Sequence, residues 1–246
     1  MKKIISILII LCVAASLFAA TGSVRLGAAF GAVIGRTKPF TQGEKDTLVH
    51  YKSYGLGFDA LFKDDFSDSL AAFFDFNMTI GLEGKFRNHD EAEFKSINDQ
   101  FKEAEIRAKS EGGRATKKLY SLSAASGLVY KLPFTKTHFN YALGGGLFLD
   151  RLFAEICAYM PDGSSLAHRV RCFNLGLSVY MEMSKNISDH FGVSLIFMPR
   201  FGVLSFATDA IIKTSADHVV TRDEQRAFGF APSISMPVSL GAVYYF

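Results

Sequence analysis

From Leu70 to Leu82 the chain alternates between two kinds of residue at every step, and this period of two decides most of what it can become. Leu70, Ala72, Phe74, Phe76, Met78, Ile80 and Leu82 fall on one face; Ala71, Phe73, Asp75, Asn77, Thr79 and Gly81 fall on the other. Successive side chains of a strand point to opposite sides, so the segment has one apolar face and one that is mostly small or polar. A helix would scatter both sets around its circumference. The pattern recurs near 24–34, 51–62, 119–132, 138–149 and 172–183, then from 190 onward, and finally up to Phe246.

Composition indicates what the apolar faces meet. The chain is 49% hydrophobic and carries 24 Phe, yet after its first residues it offers no run of ~18 apolar residues that could cross a bilayer as a helix. Strands that show an apolar residue to lipid at every second position reconcile the two facts. The connections sort by length as well. Short polar turns at 63–69, 133–137 and 184–189 alternate with longer segments near 35–50, 83–118, 150–171 and 207–228. Bacterial barrels have an even strand count, short periplasmic turns and long extracellular loops. The expected fold is therefore all-β: an eight-stranded antiparallel transmembrane β-barrel with one partly helical outer loop. Pro199 and Pro237 lack the donor a ladder needs, so they are expected to end the embedded parts of the last two strands. A ten-stranded alternative would need a further short inner turn, which the sequence lacks.

The first twenty residues read as a secretory signal. Lys2 and Lys3 precede a mostly apolar stretch from Ile4 to Val13 and a small-residue exit at Ala19-Ala20. Residues 1–20 are thus expected to be removed, leaving 21–246 as the barrel. Without Lys2 and Lys3 the formal charge of +3 falls close to neutral, which gives no reason to expect nucleic acid as a partner. Cys157 and Cys172 remain in the exported chain, flanking the third outer loop. An oxidising compartment permits a bridge between them and equally permits two free thiols.

The inward face carries the candidate chemistry. An eight-stranded barrel is just wide enough to be filled by side chains or to hold one small ligand. Among many small residues the alternation turns Arg25, Asp59, Asp75, Asn77, Lys131, Asn140, Asn174 and Glu182 inward, and Arg200 with them. Charges there must be paired or hydrated, either as a closed plug or as the lining of a narrow solute path. In the second outer loop, Asp90–Ser110 reads as an amphipathic helix with Phe94, Ile97 and Phe101 on its apolar stripe. It could cap the barrel mouth or meet a partner. No histidine has a Ser or carboxylate neighbour at a spacing that suggests a triad, and no metal, phosphate or calcium motif is present. The Asp64, Asp65 and Asp68 cluster reads as a solvated turn. Neither catalysis nor a metal or other cofactor is expected.

The terminus Ser239-Leu240-Gly241-Ala242-Val243-Tyr244-Tyr245-Phe246 resembles the carboxy-terminal signature of bacterial outer-membrane barrels, with Phe246 last and Tyr244 two residues before it. That resemblance implies recognition by the barrel assembly machinery and a place among outer-membrane lipids. Ser23–Phe30 and Phe139–Gly146 are similar to strands of the outer membrane protein W family and of treponemal outer-membrane proteins of unknown function. The family implies passage of small, often apolar, solutes. The absence of Trp and the large second outer loop depart from its pattern. The functional expectation is a narrow channel or small-solute transporter. The alternative is a surface-exposed adhesin or ligand-binding protein with a plugged barrel, meeting a host ligand through its loops.

Overall fold

The structure, a computed structural model, describes residues 22–37, 49–87, 95–133 and 138–246. The segment read as a signal sequence, most of the first outer loop and most of the turn at 133–137 lie outside them. The strands are β1 (Gly22–Thr37), β2 (Val49–Asp65), β3 (Leu70–Arg87), β4 (Lys95–Ser96), β5 (Arg114–Leu132), β6 (Asn140–Tyr159), β7 (Ser165–Asn186), β8 (Phe191–Phe197), β9 (Arg200–Thr214), β10 (Val220–Ser235) and β11 (Val238–Tyr245). One helix, α1 (Ile97–Ser110), follows β4. All pairings are antiparallel, and the sheet closes where β1 meets β11 and β10. β8 and β9 lie end to end along β7, and β10 and β11 end to end along β1, so the ring has eight positions.

The two prolines sit in these junctions without opening the wall. The Pro199 carbonyl accepts from the Val179 amide (2.9 Å), and the Pro237 carbonyl from that of Met198 (3.1 Å). The Met236 amide donates to the Ala32 carbonyl (2.8 Å). Proline is tolerated where a strand is already irregular. Curvature is tight: a Cβ added to Gly57 would lie 1.8 Å from the Met78 carbonyl oxygen, so only glycine permits that approach.

The alternation holds through the membrane band. On β6 the outward side chains are Tyr141, Leu143, Leu147 and Leu149; on β7 they run from Phe173 to Met183. Many of them are well exposed, as a lipid-facing belt requires. The strands do not stop there. β7 has 22 residues, which at ~3.4 Å per residue and ~40° tilt rise about 55 Å, roughly twice the apolar band. Beyond the belt the faces exchange character. Arg151, Glu155, Arg169 and Arg171 point outward, while Leu152, Ala154, Ile156, Val170 and Cys172 are buried inside. The outer part of the barrel has an apolar core and a charged exterior, as a soluble barrel does.

This corrects three expectations. The third outer loop, read as 150–171, is mostly paired strand; the connection shrinks to a turn where the Met160 amide donates to the Ser164 carbonyl (2.9 Å). Likewise 207–228 is mostly β9 and β10, joined by a turn around Ser215–Val219. The helix starts at Ile97 and not at Asp90. Ser96 caps it, its hydroxyl accepting from the amides of Asn98 (3.1 Å) and Asp99 (3.2 Å), and Lys95–Ser96 pairs with β3. Phe94 lies outside the described residues.

Candidate functional site

The lumen is built from rungs of the sheet. One continuous register sets Gly27, Asp59, Asn77, Ser123, Asp150, Asn174 and Ser205 side by side around the inside of the wall. Asp59, Asn77, Ser123, Asp150, Asn174 and Ser205 are all buried. Inward alternation on seven neighbouring strands thus assembles a polar ring from residues far apart in sequence.

Two arginines meet this layer, Arg25 from the strand next to Asp59 and Arg200 from the opposite side of the lumen. Arg25, 1% exposed, forms an ion pair with Asp59, and its Nε donates to the Ser194 hydroxyl (2.7 Å). Arg200, also 1% exposed, donates from Nη2 to Asp75 Oδ2 (2.7 Å) and also hydrogen-bonds the Ser123 hydroxyl. The Tyr51 hydroxyl donates to Asn174 Oδ1 (2.9 Å), and the Thr79 hydroxyl to Asn77 Oδ1 (3.1 Å). Buried charges of this kind persist only when paired and hydrogen-bonded. Removing one partner of such a pair costs about 3–5 kcal/mol.

Apolar layers lie on both sides of the polar one. Toward the inner end, Leu61, Phe73, Val129, Phe148, Tyr180, Ile196 and Met198 form one cluster, with the Phe73 and Tyr180 rings 4.9 Å apart. Toward the outer end, Tyr51, Phe86, Leu119, Leu152, Ile156 and Val170 form another, and α1 enters it with Ile97 buried and Phe101 packed against it. The helix therefore packs into the outer mouth. Lys117 hydrogen-bonds Asn98, and His168 Nδ1 lies 3.3 Å from Gln100 Oε1, tying the helix to β5 and β7.

Among the described residues an open space lies at each end of the lumen. The outer cleft, ≈ 740 Å³, lies between α1 and the raised wall of β6, β7 and β9; Glu103, Ala104, Arg107, Ile156, His168 and Lys213 line it. His168 Nε2 sits 2.8 Å from Asp209 Oδ1. At the turn beside this cleft, hydrogen bonds from the Ser164 hydroxyl and amide hold the Asp162 carboxyl below the usual carboxylate range. The inner vestibule, ≈ 520 Å³, is bounded by Lys63, Asp65, Lys131, Asn140, Glu182 and Tyr245. There Lys63 Nζ pairs with Glu182 Oε2 (2.7 Å), Tyr180 donates to the same oxygen (2.8 Å), and Lys131 pairs with Asp65 (2.7 Å).

The sequence-derived lumen residues thus divide. Arg25, Asp59, Asp75, Asn77, Asn174 and Arg200 come together in the buried layer. Glu182 lies below them, while Lys131 and Asn140 stand at the inner rim; Asn140 Nδ2 reaches Asn186 Oδ1 at 3.3 Å. Asp150, Ser123 and Ser194 join the polar layer, and Lys63 joins Glu182 below it; alternation alone does not mark these four as site residues. Extending the inward series Ala142, Gly144, Gly146, Phe148 by one step turns Asp150 inward.

The bridge between Cys157 and Cys172 does not form. Both are free and buried. Cys157 opposes Ala167 and Cys172 opposes Leu152, so five rungs separate them. That is about 17 Å along the strands, far beyond the ~7 Å limit for a disulfide. They also point to opposite sides of the wall. Tyr244 and Phe246 lie at the inner end of the closing strand, where Tyr244 packs edge-on to Phe191 at 5.2 Å. Among the described residues no group of three His, Cys, Asp or Glu side chains could hold a metal ion.

No family model matches the chain, and no curated protein does. Solved structures do. It is similar to a major outer membrane protein of Thermus thermophilus at 12% identity, with a TM-score of 0.50, over 89% of this chain and 99% of that one. It is similar to the outer membrane protein OprG of Pseudomonas aeruginosa at 10% identity, with a TM-score of 0.52, over 93% and 97%. At these identities the likeness shows the fold. The chain has the fold of the small eight-stranded β-barrels found in bacterial outer membranes.

Proposed function

We propose that this barrel is a non-catalytic, surface-displaying protein with a closed lumen, and that its outer cleft receives a ligand. The observation that carries the reading is the filled lumen, with paired Arg25–Asp59 and Arg200–Asp75 between two apolar layers. The cleft beside α1 combines an apolar floor (Ala104, Ile156, Ala158, Leu166) with ionic groups of both signs (Glu103, Arg107, Glu111, Lys213). That chemistry suits a ligand with an apolar body and a polar edge. A host ligand reached through the outer surface fits this reading, as does assembly by the barrel machinery through the Tyr244 and Phe246 strand.

A second reading, a narrow channel for small solutes, has one observation in its favour. The outer cleft and inner vestibule face opposite ends of the same lumen, so rearranging the arginine layer would connect them. Liposome swelling separates the two. Proteoliposomes diluted into isotonic arabinose should swell no faster than protein-free liposomes. Swelling that scales with the amount of protein would overturn the closed-lumen reading.

A further inference from the structure

The outward face above the lipid belt carries a patch that neither reading uses. Going outward along the wall formed by β5, β6, β7, β9 and β10, one rung sets Leu122, Arg151, Phe173, Phe206 and Phe228 side by side. The next sets Tyr120, Phe153, Arg171, Thr208 and Arg226; the one beyond sets Lys118, Glu155, Arg169, Ala210 and Glu224. Arg222 lies one rung further out. The belt of Phe and Leu therefore ends at a basic band of six cations and two carboxylates.

The two carboxylates are already engaged. Glu155 binds Lys118 (2.9 Å) and Arg169 (2.6 Å to Nε), and Glu224 binds Arg226 (2.6 Å) and Arg222. Arg151 and Arg171 have no carboxylate within ion-pair distance among the described residues. They sit diagonally across β6 and β7, at a Cα separation of roughly 7–8 Å. The Phe153 ring, stacked on Tyr120 at 4.9 Å, lies under the Arg171 guanidinium at 5.7 Å. Arg171 has Arg169, Arg151 and Arg222 as like-charged neighbours against Glu155 alone of opposite sign, and its Nε is buried without a hydrogen-bond partner among the described residues. Six cations against two carboxylates leave a net positive band at the edge of an apolar belt, complementary to an anion held at that height.

We infer that this patch binds the phosphorylated head group of an outer-leaflet lipid, with Arg151 and Arg171 clasping the phosphate and the acyl chains lying on the belt below. Guanidinium groups match phosphate oxygens bidentately, and the ring beneath Arg171 fixes its plane. A lipid is favoured over a soluble anion because the apolar surface of Phe173, Phe206 and Phe228 continues directly from the cations.

Native mass spectrometry of the full chain, released from micelles containing phosphatidylglycerol or phosphatidylcholine with the same acyl chains, tests this. The wild type should retain phosphatidylglycerol in preference. Arg151→Gln combined with Arg171→Gln should lower its apparent affinity at least roughly tenfold. Arg114→Gln combined with Lys185→Gln removes the same charge elsewhere and should leave retention unchanged. Heat-modifiable gel migration verifies that each variant is folded. Equal retention by the double variant, or an equal loss in the control, would overturn the assignment. Displacement of the lipid by equimolar inorganic phosphate would show a site for the free anion and would also defeat it.

Discussion

Arg25 illustrates how far single residues of this barrel can be understood. It is placed inside by alternation, neutralised by Asp59 and steadied by Ser194. Arg25→Ala would leave Asp59 buried without its cation, and should destabilise the folded barrel by about 3–5 kcal/mol. Replacing both Arg25 and Asp59 with apolar residues of similar volume should cost much less, since no lone charge is left. Urea titration followed by heat-modifiable migration checks both outcomes; equal losses for the single and double changes would contradict the pairing. At this scale much of the site was legible. Asp59, Asp75, Asn77 and Asn174 follow from period-two counting within clear strands. What counting could not supply was pairing, because partners such as Arg200 and Asp75 lie 125 positions apart. The cysteines show the converse. Composition and compartment leave a bridge and two free thiols equally open, and only the register, which holds the cysteines five rungs apart, decides for free thiols. After unfolding under non-reducing conditions, a chain expressed as residues 21–246 should titrate two thiols. A count of zero would mean the register is wrong.

The elements were legible where lipid faces them and obscure where it does not. Within the belt an outward apolar stripe opposes a small or polar inward one, and each strand was recognisable. Above the belt water replaces lipid outside, so Arg151, Glu155 and Arg169 can face outward while Leu152, Ala154 and Ile156 turn in. The period of two persists, but its polarity is reversed, and segments such as 150–159 therefore read as loop. The same reversal explains the helix. The outer core is apolar, and α1 supplies Ile97 and Phe101 to it. Ser96→Ala should remove the cap that holds the amides of Asn98 and Asp99, at a cost of about 1 kcal/mol. Hydrogen exchange should quicken in the first turn of α1 and stay unchanged in β5 to β7. Faster exchange across those strands would mean that the helix is a structural member of the wall and not a cap.

At the scale of the whole molecule, three layers line the bore: an outer apolar layer packed by α1, a polar layer holding two ion-paired arginines, and an inner apolar layer ending at the Lys63–Glu182 pair. Sequence counting located the barrel, its inside and its outside. It left open whether the inward charges form a plug or a path, since that depends on which charges meet across the lumen. The proposed function rests on a closed lumen, and its most direct test is electrical. In single-channel recordings across planar bilayers, the purified, folded protein should give no discrete conductance steps. Arg25→Ala combined with Arg200→Ala, which removes both cations from the polar layer, should give brief openings if the variant still folds. Regular, long-lived steps from the wild-type protein would contradict the closed lumen.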